Sequence, residues 1–236
     1  MDIEQRIVKY WDKRSEDFSR VRLIELESAD AEGWLEYIES RLDKKRGLKI
    51  LDVGTGAGFF ALMLSKAGHE VIGVDMSDEM IKRARLNAEQ LKLRAEFRVM
   101  NAQRLEFNDD SFDAVLSRNL TWTLPDVEAA YGEWHRVLKF GGVMLNFDSD
   151  YGDKDFHNVV TCSRSSVNDE QLDECSAIKN ALAISGRRRP AWDVECLRSI
   201  GFEVTVDDDI APLVRRDKSL DFDRIALFAI RAVKNN

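Results

Sequence analysis

Short apolar runs alternate with amphipathic stretches along most of the chain, after a start that is mostly polar. Apolar side chains recur at helical spacing over residues 1–46, which predicts a helical N-terminal segment. Beyond it, helical patterns separate short apolar runs, and these runs predict strands at 49–53, 70–75, 95–100, 112–117 and 143–147. Nearly continuous apolar strands that alternate with helices are typical of a parallel sheet buried on both faces.

Residues with strong boundary preferences predict the helices between these strands. One helix begins at Phe59 and ends before Gly68. A second follows Ser77, whose hydroxyl suits an N-cap. A third is expected to have Pro125 at its first position and to end before Gly141–Gly142.

The second half of the chain departs from this alternation. Residues 151–190 are polar, with a weak helical pattern over 169–184, and they exceed an ordinary connection between a strand and a helix. We interpret them as an insertion over the carboxyl edge of the sheet. A helix at 192–200 and strands at 202–206 and 225–231 follow, the last expected to be antiparallel at the end of the sheet.

The whole pattern predicts an α/β fold. We expect a Rossmann-like, doubly wound sheet of seven mostly parallel strands, with helices on both faces, an antiparallel last strand and a cap-like insertion. In terms of domains, residues 1–46 form an N-terminal helical segment that covers a cofactor site. Residues 47–236 form one α/β domain that contains the insertion at about 151–190.

A glycine-rich loop joins the first predicted strand to the next helix. Asp52, Gly54, Gly56 and Gly58 give the pattern acid-x-Gly-x-Gly-x-Gly, and glycine lets the backbone turn tightly and touch a ligand. Asp75 ends the second strand, where a carboxylate can accept hydrogen bonds from a ribose diol.

Two ligand classes use this layout: dinucleotides and S-adenosylmethionine. The dinucleotide fingerprint GxGxxG has a third glycine for close helix packing, and Phe59 stands at that position here. Asp52 would also repel a pyrophosphate, whereas it could help to hold an ammonium. The spacing therefore favours S-adenosylmethionine.

The stretch ILDVGTGAGFFAL at 50–62 resembles the first motif of the class I S-adenosylmethionine-dependent methyltransferases. The resemblance is close over residues 8–150 and looser over the terminal strands. It implies S-adenosylmethionine as cofactor and S-adenosylhomocysteine as product. The other stretches that resemble the family, in the family's order, are YWDKRSEDFSR at 10–20, VIGVDMSDEM at 71–80, MNAQRLEFNDDSFDAVLSR at 100–118 and HRVLKFGG at 135–142.

The resemblance also implies roles for individual residues. Asp75 would bind the ribose, Met76 would flank the adenine, and Asn101 stands where the family often has the Asp that meets the adenine amino group. The segment that contains Tyr10 would fold over the cofactor. The complete set of implied cofactor-binding residues is Asp52, Gly54, Thr55, Gly56, Gly58, Asp75, Met76, Asn101, Ala102, Arg118 and Tyr10.

The acceptor site is less defined. Methyl transfer from a sulfonium needs mainly alignment, so no catalytic residue is assigned. The basic run at 187–189 is either a solvated loop or, through Arg188 and Arg189, a clamp for an anionic acceptor. Residues expected in the acceptor wall are Asn119, Trp122, Tyr151 and His157.

Composition narrows the choice of partners. Asp plus Glu number 43 against 35 Lys plus Arg, and the net charge of −8 argues against a nucleic-acid substrate. Cys162, Cys175 and Cys196 form no CxxC, and the three histidines lack metal-ligand spacing, so we expect free thiols and no metal site. No apolar run approaches the ~20 residues of a membrane span, and we expect a cytoplasmic protein.

These observations favour a methyltransferase that acts on a small molecule. Two other functions stay open. One is a nicotinamide-dependent oxidoreductase with a Rossmann domain. The other is a non-catalytic protein that binds S-adenosylmethionine, because catalysis by alignment requires no signature residue.

Overall fold

Seven strands form one sheet within the parts of the chain that the computed structural model describes, which are residues 2–42, 47–159, 164–220, 222 and 225–235. The order across the sheet is β3-β2-β1-β4-β5-β7-β6, with β1 to β5 in parallel and β7 antiparallel to both β5 and β6. The predicted Rossmann-like, doubly wound sheet is confirmed. The strands are β1 (Lys49–Val53), β2 (Glu70–Asp75), β3 (Glu96–Val99), β4 (Phe112–Arg118), β5 (Leu138–Asp148), β6 (Phe202–Asp207) and β7 (Phe228–Lys234).

Helices surround this sheet. Ser77 caps α4 as predicted, because its Oγ accepts a hydrogen bond from the backbone N–H of Met80 at 3.0 Å. In the described ranges the α-helices are α1 (Ile3–Leu26), α2 (Ala29–Arg41), α3 (Phe59–Lys66), α4 (Asp78–Leu91), α5 (Val127–Val137), α6 (Asp169–Ala181), α7 (Ala191–Ile200) and α8 (Ala211–Val214). Short 3-10 helices lie at Thr121–Thr123, Phe156–Asn158 and Ala183–Gly186.

Apolar side chains form a core on each face of the sheet. Along β1, Leu51 and Val53 belong to one buried cluster and Ile50 to the other. Along β4, Val115 and Ala114 divide in the same way. Successive side chains of a strand point to opposite faces, so strands covered on both faces are apolar throughout. This double burial explains why the apolar runs located the strands.

The last two strands differ from the prediction in their order. β7 lies between β5 and β6, not at the end of the sheet, and it begins at Phe228 rather than at 225. Ile230 and Ala232 of β7 are fully buried, whereas Glu203 and Thr205 of β6 are exposed. A half-exposed alternation is typical of an edge strand, and an apolar strand of an inner one.

The start of α5 also differs from the prediction. Pro125 precedes the helix and does not occupy its first position. The N-cap is Asp126, whose Oδ1 accepts a hydrogen bond from the backbone N–H of Ala129 at 2.9 Å. The carboxylate of Asp126 caps a helix better than the apolar ring of Pro125 can, so the helix begins one residue after Asp126, at Val127.

The glycine pair expected between α5 and β5 lies inside the strand. β5 starts at Leu138, directly after the helix, and includes Gly141 and Gly142. The pairing of β4 with β5 shifts its register between Phe112 and Ala114, so the two glycines lie in an irregular stretch of β5.

The insertion packs against α1 and against the 3-10 helix Thr121–Thr123 through α6. This helix ends at Ala181 rather than at 184, and it buries Cys175 and Ile178 in the core that also contains Trp122. The boundary predicted at residue 46 belongs to the stretch 43–46, which lies outside the described residues, so the division into domains stays a prediction. Among the described helices, none is both long enough and apolar enough to cross a membrane.

Candidate functional site

The glycine-rich loop leaves β1 at the centre of the sheet, where the strand order reverses. The backbone N–H of Gly54 donates to the carbonyl of Val74 in β2 at 2.8 Å. Gly54 and Gly56 have φ angles of +69° and +53°. A Cβ on Gly54 would lie 2.8 Å from the Leu120 side chain, and one on Gly56 would lie 2.9 Å from the Phe18 ring. Both positions therefore need glycine for conformation and for space.

Asp75 lies against the same loop at the end of β2. Its Oδ2 accepts from the backbone N–H of Gly56, and its Oδ1 accepts from that of Ser77, each at 2.9 Å. Burial raises the pKa of the Asp75 carboxyl above its ordinary value, although these backbone donors oppose the shift. Each carboxylate oxygen has a further lone pair, so this fixed group can still accept hydrogen bonds from ligand hydroxyls.

Asp52 lies beneath the loop and is only 2% exposed. Its Oδ2 accepts from Thr55 Oγ1 at 2.6 Å and from the backbone N–H of Ala61 at 3.1 Å. Burial raises the pKa of the Asp52 carboxyl to about 7, and the charge of Asp75 adds to this shift. A cation bound nearby would stabilise the ionised form of Asp52.

A cavity of about 220 Å³ opens at this end of the sheet, between the loop, the end of β4, α1 and the insertion. Most of the predicted site residues line it, although their roles in binding stay predictions. From the cofactor set, the lining includes Asp52, Gly54, Thr55, Gly56, Asp75, Met76, Asn101, Ala102, Arg118 and Tyr10. From the acceptor set, it includes Asn119, Trp122 and Tyr151.

Gly58 and His157 do not belong to this lining. Gly58 precedes α3 with a φ of +92°, and a Cβ there would lie 3.2 Å from the Phe97 ring, so it serves local packing. His157 lies on the outer side of the insertion, and its Nε2 is 2.9 Å from Asp173 Oδ1. This hydrogen bond raises the pKa of His157. Its exposed position gives it no contact with a molecule in the cavity.

The predicted clamp for an anion is not formed at the cavity either. Arg188 is exposed, whereas Arg189 is 6% exposed. The Arg189 guanidinium donates to Asp148 at 3.0 Å, to Asp193 at 2.7 Å and to Thr121 at 2.6 Å. Because two carboxylates already compensate its charge, Arg189 does not fit the predicted role. The sequence shows the basic run but not the two buried acids.

Helix α1 covers the cavity and is held on two sides. Ser77 Oγ, at the start of α4, donates to Asp12 of α1 at 2.6 Å. Ser165 Oγ, in the insertion, donates to Asp17 of α1 at 2.7 Å. Of this helix, sequence reasoning named only Tyr10. The other α1 residues in the lining are Ile7, Val8, Trp11, Arg14, Phe18, Val21 and Arg22.

Arg14 is one of the residues that sequence reasoning missed. It is 7% exposed, and its guanidinium donates to the Tyr10 hydroxyl at 2.9 Å and to Ser165 Oγ at 3.3 Å. Its Nε has no hydrogen-bond partner among the described residues. Arg14 lies four residues after Tyr10, so a helix places both side chains on the same side. This spacing is the signal from which Arg14 could be predicted.

A buried ion cluster supports Arg118 beside the loop. Glu25 is fully buried, and its Oε1 accepts from Arg118 Nη2 at 2.8 Å, while Arg22 Nη1 lies 2.5 Å from its Oε2. Burial alone would raise the pKa of Glu25, but the two guanidinium groups reverse this effect and hold it below its usual value. Arg118 also lies over the Trp34 ring at 4.5 Å. The sequence did not indicate Glu25, which lies far from every motif.

The described cysteines are unpaired thiols. Cys175 is buried and Cys196 is half-buried, while Cys162 lies outside the described residues. Across the described part of the chain, no group of three or more His, Cys, Asp and Glu side chains is arranged to hold a metal ion.

The sequence of this chain is similar to those of known methyltransferases. Residues 51–146 match the family model described as a methyltransferase domain. The chain is 31% identical over 172 residues to 24-methylenesterol C-methyltransferase 2 of Arabidopsis thaliana, a match that covers 71% of this chain and 45% of that protein. It is 38% identical over 107 residues to a ubiquinone biosynthesis O-methyltransferase of Paramagnetospirillum magneticum, over 45% of this chain and 43% of that protein. The chain therefore spans a little under half the length of these curated relatives.

Solved structures share the fold at low sequence identity. An S-adenosylmethionine-dependent methyltransferase from Mesorhizobium loti superposes with a TM-score of 0.63 at 20% identity, over 89% of this chain and all of that chain. At this identity the likeness shows the fold alone.

Proposed function

Because residues 51–146 belong to the methyltransferase-domain family and the chain has the class I methyltransferase fold, we propose that it is an S-adenosylmethionine-dependent methyltransferase. It would transfer a methyl group to a small-molecule acceptor and release S-adenosylhomocysteine. The two curated relatives are named for a sterol and for ubiquinone biosynthesis, which supports a small acceptor. The acidic composition supports the same choice over a nucleic acid, and a cytoplasmic setting is part of the proposal.

The loop between β1 and α3, with Asp75 bound to its backbone, is the observation that carries the proposal. At Gly54 and Gly56 a Cβ would collide with the Leu120 and Phe18 side chains, so only glycine keeps the loop in this position, where both residues line the cavity. Asn119 Oδ1, also in the cavity lining, is buried without a hydrogen-bond partner among the described residues. A buried polar atom without a partner is costly, and a bound polar ligand would satisfy it. These residues therefore fit the cofactor.

Individual side chains have distinct tasks in this proposal. Asp75 accepts hydrogen bonds from the ribose hydroxyls, since its carboxylate is already oriented by two backbone donors. Asp52 supplies a negative charge to the ammonium of the cofactor. Arg118, held by Glu25, supplies a positive charge to the cofactor's carboxylate. When bound, S-adenosylmethionine supplies a methyl group on a sulfonium, which an aligned nucleophile displaces in line.

Helix α1 would keep water away from the reacting groups. Trp11 packs edge-on against Tyr10 and Phe18, with ring centroids 5.1 and 5.7 Å apart. All three rings line the cavity from the side of α1. The hydrogen bonds of Asp12 and Asp17 hold this helix to two other elements and so keep it over the cavity.

A transfer assay tests the proposal directly. The chain is incubated with S-adenosylmethionine that carries a radiolabelled methyl group, together with a size-filtered extract of small molecules. We expect label in small-molecule products and an equal amount of S-adenosylhomocysteine. The Asp75→Ala variant should lose both, whereas Asp78→Ala, an exposed carboxylate on the same segment, should not. Cofactor binding without any labelled product would favour the non-catalytic alternative.

A further inference from the structure

Arg14 of α1 is a nearly buried cation in the lining of the cavity, and its side chain is 9% exposed. Its Nη1 donates to the Tyr10 hydroxyl at 2.9 Å, and its Nη2 donates to Ser165 Oγ at 3.3 Å. These bonds use two of the five N–H groups of a guanidinium, and Nε has no hydrogen-bond partner among the described residues. Both partners are hydroxyls, so neither compensates the charge of Arg14.

Asp17 supplies the carboxylate nearest to Arg14 among the described residues, but its oxygens are engaged by other groups. Arg14 Nη2 lies 3.8 Å from Asp17 Oδ2, which is beyond hydrogen-bond distance. The carboxylate accepts from Ser165 Oγ, from Ser166 Oγ and from Arg20 Nη2, each at 2.7 Å. Burial would raise the pKa of Asp17, but hydrogen bonds from these three residues lower it to about 2. Asp17 is therefore shared with Arg20, and Arg14 has no carboxylate of its own.

The titratable side chains beside Arg14 give it no negative charge near neutral pH. Burial raises the pKa of the Tyr10 hydroxyl above its ordinary value. Burial also raises the pKa of the Cys175 thiol, which lines the cavity from α6, to about 11. Both groups stay protonated and uncharged. A buried guanidinium without a compensating anion is costly, and an oxyanion of a bound ligand would remove that cost.

A second surplus of positive charge lies near the end of β4, and the proposed function already accounts for it. Glu25 pairs with both Arg22 and Arg118, so one carboxylate faces two guanidinium groups. Arg118 Nε and Nη1 have no hydrogen-bond partner among the described residues. In the proposed function this charge meets the carboxylate of the cofactor, which leaves the charge of Arg14 for another molecule.

Arg14 belongs to the side of the cavity that the insertion forms. Farther along α1, Phe18 reaches the glycine-rich loop, since its ring lies 2.9 Å from the Cβ position of Gly56. Arg14 lies one turn earlier and contacts Ser165 of the insertion. The insertion also contributes apolar side chains to this lining, and these are Tyr151, Phe156, Val159 and Leu172.

We propose that the methyl acceptor is an organic acid whose oxyanion, a carboxylate or a phosphate monoester, pairs with Arg14 while its apolar part lies against the insertion. This inference rests on the proposed function, because it takes the cavity as the place of transfer. Guanidinium groups bind such oxyanions through two parallel hydrogen bonds, and Arg14 retains N–H groups for them. The basic run at 187–189 suggested an anionic acceptor, but Arg14, and neither Arg188 nor Arg189, is the residue that would meet it.

Three probes that share a naphthalene ring test the proposal. 2-Naphthoate carries a carboxylate, 2-naphthyl phosphate carries a phosphate monoester, and 2-naphthamide is uncharged. Each is titrated by calorimetry into the protein saturated with S-adenosylhomocysteine, so that the cofactor part of the cavity is filled. We expect at least one of the anions to bind about tenfold or more tightly than 2-naphthamide. The tighter of the two anions identifies the acidic group that the site prefers.

Two arginines of α1 give matched variants. Arg14→Gln should weaken binding of the preferred anion about tenfold or more and leave that of 2-naphthamide unchanged. Arg14→Lys keeps the charge without the planar fork, so its affinity for the anion should be intermediate. Arg20→Gln removes the same charge beside Asp17 from a side chain that is 49% exposed, and it should leave anion binding unchanged.

Two results would overturn the proposal. One is equal binding of 2-naphthamide and of both anions, and the other is anion binding that ignores the substitutions of Arg14. Circular dichroism identifies a variant that fails to fold. If Arg14→Gln does so, Arg14→Lys decides, because it should weaken binding of the anion and not that of 2-naphthamide.

The proposed function can fail separately from this inference. If S-adenosylhomocysteine does not raise the melting temperature, the proposed function fails, and titration of the probes without it still determines whether Arg14 selects an anion. If S-adenosylhomocysteine binds and neither anion binds more tightly than 2-naphthamide, only the inference about the acceptor is overturned. Loss of S-adenosylhomocysteine binding in a folded Arg14→Gln variant would assign Arg14 to the cofactor and would likewise overturn the inference alone.

Discussion

Asp52→Asn should stabilise the protein at neutral and alkaline pH, even though it alters the candidate site. Asp52 must be buried as an anion above a pKa of about 7, whereas the ordinary value is 3.8. Asparagine has no charge at any pH. Its side-chain oxygen can still accept the two hydrogen bonds, from Thr55 Oγ1 and from the backbone N–H of Ala61, that Asp52 accepts now.

The size of the effect follows from the shift in pKa. A rise from 3.8 to about 7 is roughly three pKa units, which corresponds to about 4 kcal/mol as an upper bound. Because the pKa of Asp52 is raised, burial of this carboxyl costs the wild-type protein no stability below about pH 4. The protein loses stability as the pH rises to about 7, and its stability changes little above about pH 8. At ~2–4 °C per kcal/mol for a chain of this size, this upper bound corresponds to a gain of roughly 8–16 °C in Tm for Asp52→Asn at about pH 8.

Thermal or urea unfolding at several pH values measures this difference. The gain in free energy of unfolding for Asp52→Asn over wild type should be near zero at about pH 4 and should grow to a plateau above about pH 7. Asp208→Asn, which removes an exposed carboxylate, should show no such growth. A gain that does not depend on pH, or one that Asp208→Asn matches, would refute the reasoning. The stabilised variant should also bind S-adenosylmethionine more weakly, because it lacks the charge for the ammonium.

Three further predictions use matched pairs or a single buried charge. Gly54→Ala should abolish cofactor binding in calorimetry. Gly68 also has a positive φ, but a Cβ at this position would meet open space, so Gly68→Ala should cost stability and leave binding intact. Arg189→Ala should lower the free energy of unfolding by about 3–5 kcal/mol in urea titration, while Arg188→Ala should change it by less than about 0.5 kcal/mol. Equal effects of the two substitutions would contradict the buried ion network. Glu25→Gln should cost about 3–5 kcal/mol near neutral pH, and the loss should shrink in acid, since this carboxyl has a lowered pKa.

The sequence predicts the sheet well where burial and pattern agree. β1 and β4 are covered on both faces, so their apolar runs are unambiguous. The order of the last strands depends on whether β6 or β7 pairs with β5. The local strand propensity of the residues does not determine which of the two does so. The exposed Glu203 and Thr205 of β6, against the buried Ile230 and Ala232 of β7, are a usable signal for which strand is the edge.

Some residues of the candidate site can be predicted from the sequence, and others cannot. The loop glycines and Asp75 are recognisable because their roles depend on spacing along the chain. Arg189 and Glu25 depend on the distant partners Asp148 and Arg118, which pair with them only after folding. A run of basic residues therefore indicated a ligand clamp where the structure has a buried ion pair, and an unremarked Glu on the polar N-terminal helix proved to be fully buried.

Thermal unfolding with and without S-adenosylmethionine, S-adenosylhomocysteine and NAD, for the wild type and for Asp75→Ala, tests the central claim most directly. A ligand at about 100 times its Kd stabilises the folded state by about 2.7 kcal/mol, which is a readable shift in Tm. The account predicts a shift with both S-adenosyl compounds, none with NAD, and loss of the shift in Asp75→Ala. A shift with NAD alone, or no shift with any of the three, would contradict it.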